Sequence, residues 1–115
     1  MTILKRGEKF TVQCAVAENG DIPAEEFLNT LPPRMLARFA VLFERLAEQG
    51  VIRGEERFRA LGKGVYEFKA ANYRLYCFFC PKGLVIVSHG SIKRKKVQLE
   101  REIEKALAFK RAYNC

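Results

Sequence analysis

Val65-Tyr-Glu-Phe-Lys-Ala-Ala-Asn-Tyr-Arg-Leu-Tyr-Cys-Phe-Phe-Cys-Pro-Lys-Gly-Leu-Val-Ile-Val-Ser-His89 is the stretch that decides the architecture of this 115-residue chain. It divides into three runs, Val65–Lys69, Tyr73–Cys80 and Leu84–His89, each apolar or alternating and rich in β-branched and aromatic residues, which predicts three strands. The links Ala70-Ala71-Asn72 and Pro81-Lys82-Gly83 are short enough for hairpins. The three strands should therefore form an antiparallel meander, because parallel neighbours need crossovers of about a dozen residues or more.

Upstream, Phe10-Thr-Val-Gln-Cys-Ala-Val16 reads as a strand that ends at the turn Asn19-Gly20-Asp21 and joins the same sheet. Pro23 then opens a short helix, with Asp21 as its expected cap and Glu25 and Glu26 near the positive end of its dipole. Leu31-Pro32-Pro33 interrupts it. From Arg34 the residues Leu36, Phe39, Ala40, Phe43, Leu46 and Ala47 recur at helical spacing up to Gly50, which suits a C-cap. Arg53–Arg59 reads as a charged linker. Downstream, Leu99, Ile103, Ala106, Leu107 and Lys110 place a second long helix over Val97–Tyr113. The expectation is a single α+β domain over residues 1–115, ordered β-αα-βββ-α, in which the N-terminal strand joins an antiparallel meander and the helices pack on one face.

Composition agrees with a folded domain: 49% of residues are hydrophobic and 30% charged, enough apolar content to offset chain entropy. The longest purely aliphatic run, Leu84–Val87, is far short of a membrane span, and the first residues lack the apolar core of a signal peptide, so the reading is a cytoplasmic protein without membrane contact. The formal charge of +8 is uneven: residues 1–60 balance nine basic against nine acidic groups, while residues 61–115 carry twelve against four. Such a field attracts polyanions, nucleic acid first among them. The chain has neither a phosphate-binding glycine loop nor a G-x-S-x-G elbow, which leaves nucleotide hydrolysis and serine acyl transfer without support.

Strand alternation sets Arg74, Tyr76, Phe78 and Cys80 on one face, and Glu67 and Lys69 share that parity on the preceding strand. Three charged groups gathered on an apolar sheet make either a cleft or a structural Arg–Glu pair. His89, the only histidine, titrates near neutrality when unperturbed and is a proton-transfer candidate. The connection Lys93-Arg94-Lys95-Lys96 between strand and helix suits phosphate contacts or a solvated basic surface. Cys77-Phe-Phe-Cys80 has C-x-x-C spacing, but an offset of three in a strand sends the two sulfurs to opposite faces. Neither metal nor redox use follows from it, and no cofactor is expected.

The second half resembles a known family, the RelE/ParE superfamily of bacterial toxins, and within it the HigB-like, phage-derived branch. The resemblance is carried by Leu61-Gly62-x-Gly64-Val65-Tyr66-Glu67-Phe68-Lys69, then Tyr73-Arg74-Leu75-Tyr76, then His89-Gly90-Ser91-Ile92-Lys93-Arg94, and finally Glu102-Ile103-Glu104-Lys105-Ala106. Two departures stand out. Ser91 occupies a position where the family commonly has phenylalanine, and Val97-Gln98-Leu99 replaces a usual lysine-threonine-proline before the last helix.

The resemblance implies a toxin that enters the ribosome and cleaves mRNA by attack of a 2′-hydroxyl on the adjacent phosphate, held inactive by a cognate antitoxin, usually a helix-turn-helix protein. It assigns Lys69, Arg74 and Lys93 to phosphate stabilisation and Glu67 or His89 to proton transfer. Tyr113 would stack on a base or assist acid–base work. Lys63, Arg94, Lys95, Lys96 and Lys110 would hold the backbone of mRNA or ribosomal RNA. The same fold also serves gyrase-poisoning toxins of the ParE type, and a catalytically inactive phage protein that docks on nucleic acid is the third reading.

Overall fold

The computed structural model describes residues 2–93 and 95–115, so Arg94 lies outside the described residues. Six strands form one sheet in the order β1-β2-β6-β5-β4-β3: β1 (Ile3–Arg6), β2 (Thr11–Cys14), β3 (Phe58–Gly62), β4 (Val65–Ala70), β5 (Tyr73–Cys80) and β6 (Leu84–Ile92). Three helices accompany them: α1 (Pro23–Asn29), α2 (Pro33–Gln49) and α3 (Lys96–Ala112). This is the expected α+β domain. The meander β4-β5-β6 is antiparallel throughout, and β2 joins it by pairing parallel to β6, which is possible because α1, α2 and three strands lie between them in the chain.

Two strands escape the sequence reading. β1 is a four-residue edge strand, too short to show a period. β3 occupies the end of the expected charged linker and its continuation, and Phe58-Arg-Ala-Leu-Gly62 has weak intrinsic β preference. Pairing makes it a strand: Phe58 lies opposite Phe68 and Arg59 opposite Glu67. The turn between β3 and β4, Gly62-Lys63-Gly64, keeps all three residues at positive φ, a conformation glycine adopts freely. Asp21 does not cap α1; Ile22 holds that position without a side-chain bond, and Asp21 instead bonds Asn19.

The main core lies between α1, α2 and one face of the sheet, where Phe39, Leu42, Phe43 and Leu46 meet Val12, Phe68, Leu75, Cys77, Val85 and Val87. The helix seam is turned slightly from its expected course, with Leu42 buried and Leu36 largely exposed, because residues 39, 42, 43, 46 and 47 make the tighter stripe. α1 sits so close to β6 that a Cβ at Gly90 would overlap the Phe27 ring, which explains glycine at that strand position. The expectation of helices on one face holds for α1 and α2, whereas α3 lies across the other, where Leu99, Ile103, Ala106 and Leu107 pack on Val65 and Tyr76.

One irregularity decides what faces α3. Between Tyr76 and Cys77 the β5–β6 register slips, so that Tyr76 opposes His89 while Cys77 opposes Val87, and Ser88 is the extra residue. A single added residue reverses the alternation of everything beyond it. Val85 and Val87 therefore enter the main core, yet His89 and Ser91 emerge on the α3 side. The cysteines follow the alternation argument, with Cys77 in the main core and Cys80 on the α3 side. There Cys80 is joined to Cys115 by a disulfide, a partner outside the C-x-x-C spacing. Cys14 and Cys77 remain free and buried. Burial pushes the Cys14 thiol up to about 11 and Cys77 further still, so neither offers a thiolate at neutral pH. Among the described residues no helix is long and apolar enough to cross a membrane.

Candidate functional site

The open, α3-facing side of β3, β4 and β5 carries a cleft of about 130 Å³ lined by Arg59, Glu67, Lys69, Arg74, Tyr76, Lys93 and Leu99. Register assembles it: Arg59 pairs with Glu67, Glu67 with Tyr76, and Lys69 with Arg74. Period-two alternation then aims all five side chains at one face. Lys93 arrives from the end of β6, anchored by its backbone N–H to Asn72 O at 2.6 Å. Leu99 closes the cleft from α3.

Glu67 is the centre of the arrangement and is 1% exposed. Arg59 donates to Glu67 Oε2 through Nε at 2.9 Å, with its second nitrogen 2.7 Å from the same oxygen. Arg74 Nε approaches the other oxygen, Oε1, at 3.7 Å, and its Nη1 donates to Ala71 O at 2.8 Å and Tyr73 O at 3.0 Å. A buried carboxylate needs such partners, since an unpaired charge away from water is costly. Two guanidinium groups on one carboxylate leave a net positive centre. Lys69, whose Nζ donates to Glu55 O at 3.2 Å, and the exposed Lys93 add two more cations. Four cations against one carboxylate make a cleft suited to an anion with several oxygens, such as a phosphodiester.

The sequence-derived candidates divide in space. Glu67, Lys69, Arg74 and Lys93 come together in the cleft. His89 does not: it lies behind Tyr76, stacked on that ring at 4.9 Å, with Nδ1 2.9 Å from Ser88 Oγ and Nε2 3.4 Å from Glu102 Oε1 under α3. Nε2 is buried there without an aligned hydrogen-bond partner. Burial lowers its proton affinity below the ordinary value near 6.5, while Glu102 opposes that shift. Tyr113 is also remote, its hydroxyl accepting the Val16 N–H at 2.8 Å and its ring packed edge-on to Phe78.

The proposed backbone-holding lysines are dispersed. Lys63 reaches Glu104 at 3.7 Å on the exposed rim of α3, and Lys110 donates to Cys115 O at 2.7 Å. Lys95 and Lys96 sit exposed at the start of α3, where the Lys95 N–H is taken by Gln98 Oε1 at 3.1 Å; Arg94 lies outside the described residues.

Arg59, Tyr76 and Leu99 are the cleft residues that sequence reasoning missed, Leu99 being read only as part of the last helix. The Gly62-Lys63-Gly64 turn carried the signal for Arg59, because a tight turn before the strand at Val65 calls for a partner strand ending near residue 62. Tyr76 shares Arg74's parity but reads as core, and it is in fact fully buried with its hydroxyl 2.8 Å from Ser91 Oγ. Its phenol is held above the ordinary value by burial, partly offset by that bond, so it remains protonated. Ser91 thus has a polar task in place of the phenylalanine that the resembling family carries there.

Comparison with protein families matches residues 26–111 to the family described as Phage derived protein Gp49-like (DUF891). A search of the curated proteins returns no match. The matched segment holds α2, the whole meander and all seven cleft residues, and on that match the chain belongs to the Gp49-like family of phage-derived proteins, a RelE-like toxin family of toxin–antitoxin systems.

Proposed function

We propose that this protein is the toxin of a toxin–antitoxin pair, of the HigB-like branch, and that it cuts ribosome-bound mRNA in the cytoplasm through the Glu67–Arg74 cleft. The observation that carries the reading is the convergence of Arg59, Lys69, Arg74 and Lys93 around a single buried carboxylate. In the proposed reaction the 2′-oxygen forms a bond to the adjacent phosphorus and the bond from phosphorus to the 5′-oxygen breaks, giving a 2′,3′-cyclic phosphate and a free 5′-hydroxyl. The phosphorane gains negative charge, which Arg74, Lys69 and Lys93 are placed to neutralise in a partly enclosed site. Glu67 takes the 2′-hydroxyl proton on Oε1, the oxygen that does not receive the Arg59 bonds. The Lys93 ammonium supplies a proton to the leaving 5′-oxygen. Arg59 is a positioning residue that fixes the carboxylate. His89, remote from the cleft, positions Tyr76 and α3 and does not transfer protons to substrate.

The partner in this reading is a helix-turn-helix antitoxin with an acidic contact surface, and the ribosome presents the message. Expression of the chain without a partner should arrest bacterial growth and shorten translated messages. Primer extension on a reporter mRNA tests this directly. Intact transcripts during arrest overturn the nuclease reading and pass weight to a gyrase target, which a DNA supercoiling assay reads.

A further inference from the structure

A second cationic notch, of about 180 Å³, lies beside the cleft and is lined by Arg38, Val41, Leu42 and Arg45 of α2 together with Arg57 and Lys69. Its residues on α2 follow one stripe of the helix: positions 38, 41, 42 and 45 are three or four apart, and the two arginines stand about 10 Å apart along the axis at 1.5 Å per residue. Four cations line it and no carboxylate does. Arg57 has an exposed ion pair with Glu56 at 3.5 Å and donates to Arg53 O. Among the described residues Arg38 and Arg45 enter no ion pair. Gathering like charges raises self-repulsion in the free protein, and that cost is recovered where an anion binds between them.

Lys69 lines both the notch and the Glu67–Arg74 cleft, so the two cationic sites are neighbours that share one side chain. We infer that the notch is a phosphate subsite that holds a second phosphodiester of the RNA strand whose scissile phosphate occupies the cleft. The inference rests on the proposed RNA-cleaving function and extends it to Arg38 and Arg45 of α2, a helix from which none of the sequence-derived RNA contacts comes. It also changes where the positive charge matters. Arg38, Arg45, Arg57 and Arg59 all come from the half of the chain whose charges cancel in a linear count.

The test is salt-dependent binding of fluorescent 2′-O-methyl RNA, which lacks the attacking hydroxyl and stays intact, read by anisotropy with a dinucleotide probe, which carries a single phosphodiester, and a 12-nucleotide probe. Each lost single-strand phosphate contact should lower the slope of log Kobs against log salt by about 0.7. The double variant Arg38→Ala/Arg45→Ala is expected to lower the 12-nucleotide slope by about 0.7 while the dinucleotide slope stays unchanged. Lys5→Ala/Arg6→Ala, an equal charge loss on β1 at the opposite sheet edge, should change the 12-nucleotide slope by less than half as much.

An unchanged 12-nucleotide slope in the α2 variant, an equal shift with both probes, an equal shift in the β1 variant, or no binding by the wild type overturns the inference. So does an octaglutamate peptide that loses binding in the α2 variant while the RNA slopes stand, since that gives the notch to an acidic protein segment. Binding needs no strand scission, so a failed nuclease reading shows in primer extension, separately from these slopes.

Discussion

Replacing Arg74 by alanine separates the two readings its position allows, a phosphate ligand or a structural partner of Glu67. The side chain makes two bonds to Ala71 O and Tyr73 O and one looser contact, 3.7 Å, with Glu67 Oε1. The carbonyls lie at the β4–β5 hairpin, where Ala71 is exposed and water can replace the guanidinium. Glu67 keeps both Arg59 nitrogens, so its carboxylate is not stranded. The cost of about 3 to 5 kcal/mol for breaking a buried pair therefore does not apply. About 1 kcal/mol per lost bond gives a destabilisation of about 2 kcal/mol, or roughly 5 to 12 °C in melting temperature for a domain of this size.

In the transition state the loss of one preorganised donor costs about 3 kcal/mol, a rate loss of about a hundredfold. We expect Arg74→Ala to melt within that window and to lose message cleavage and toxicity. Arg74→Lys should recover part of the activity, since it keeps the charge and loses the planar fork. The assays are thermal melting of purified protein and primer extension on translated message. Cleavage within about threefold of wild type would refute the reasoning, as would a melting drop beyond about 20 °C, which makes Arg74 the structural keystone instead.

Arg59→Ala should reduce cleavage by about tenfold or more and cost about 3 to 5 kcal/mol of stability, because Arg59 supplies both close contacts to the buried Glu67 carboxylate and leaves it only the 3.7 Å approach of Arg74; denaturant titration and primer extension check the pair. His89 binds its proton more weakly in the folded protein than in the unfolded chain, so stability should fall as pH drops below about 6.5. His89→Gln should flatten that acid limb in melting curves taken between pH 7 and 5, and an identical limb would show that other groups carry it. The Cys80–Cys115 disulfide closes a loop across a sequence separation of 35. Its removal in Cys115→Ser should lower stability by about 2 to 4 kcal/mol in urea titration and leave message cleavage intact, as the bond lies away from the cleft. The Cys77→Ala/Cys80→Ala pair should likewise cleave, provided it folds; loss of cleavage in a folded variant would tie this strand to the site.

The sequence by itself determined the elements whose signal is local. The meander follows from three alternating runs and two hairpin links, α2 from the stripe Phe39–Ala47 with Gly50 at positive φ behind it, and the shared face of Glu67, Lys69 and Arg74 from parity alone. Parity also separated Cys77 from Cys80. What only the tertiary structure decided depends on contacts between residues distant in the chain. β3 is a strand because β4 offers it a ladder, and with that pairing Arg59 becomes the main partner of Glu67. The slip at Ser88 turned His89 away from the main core and under α3, where a pattern of period two gives no warning of an inserted residue. Cys115 meets Cys80 only once α3 has crossed the sheet face. Charge counted along the chain shows an excess in the second half alone, because summation cannot register folding that brings Arg38, Arg45, Arg57 and Arg59 beside Lys69 and Arg74.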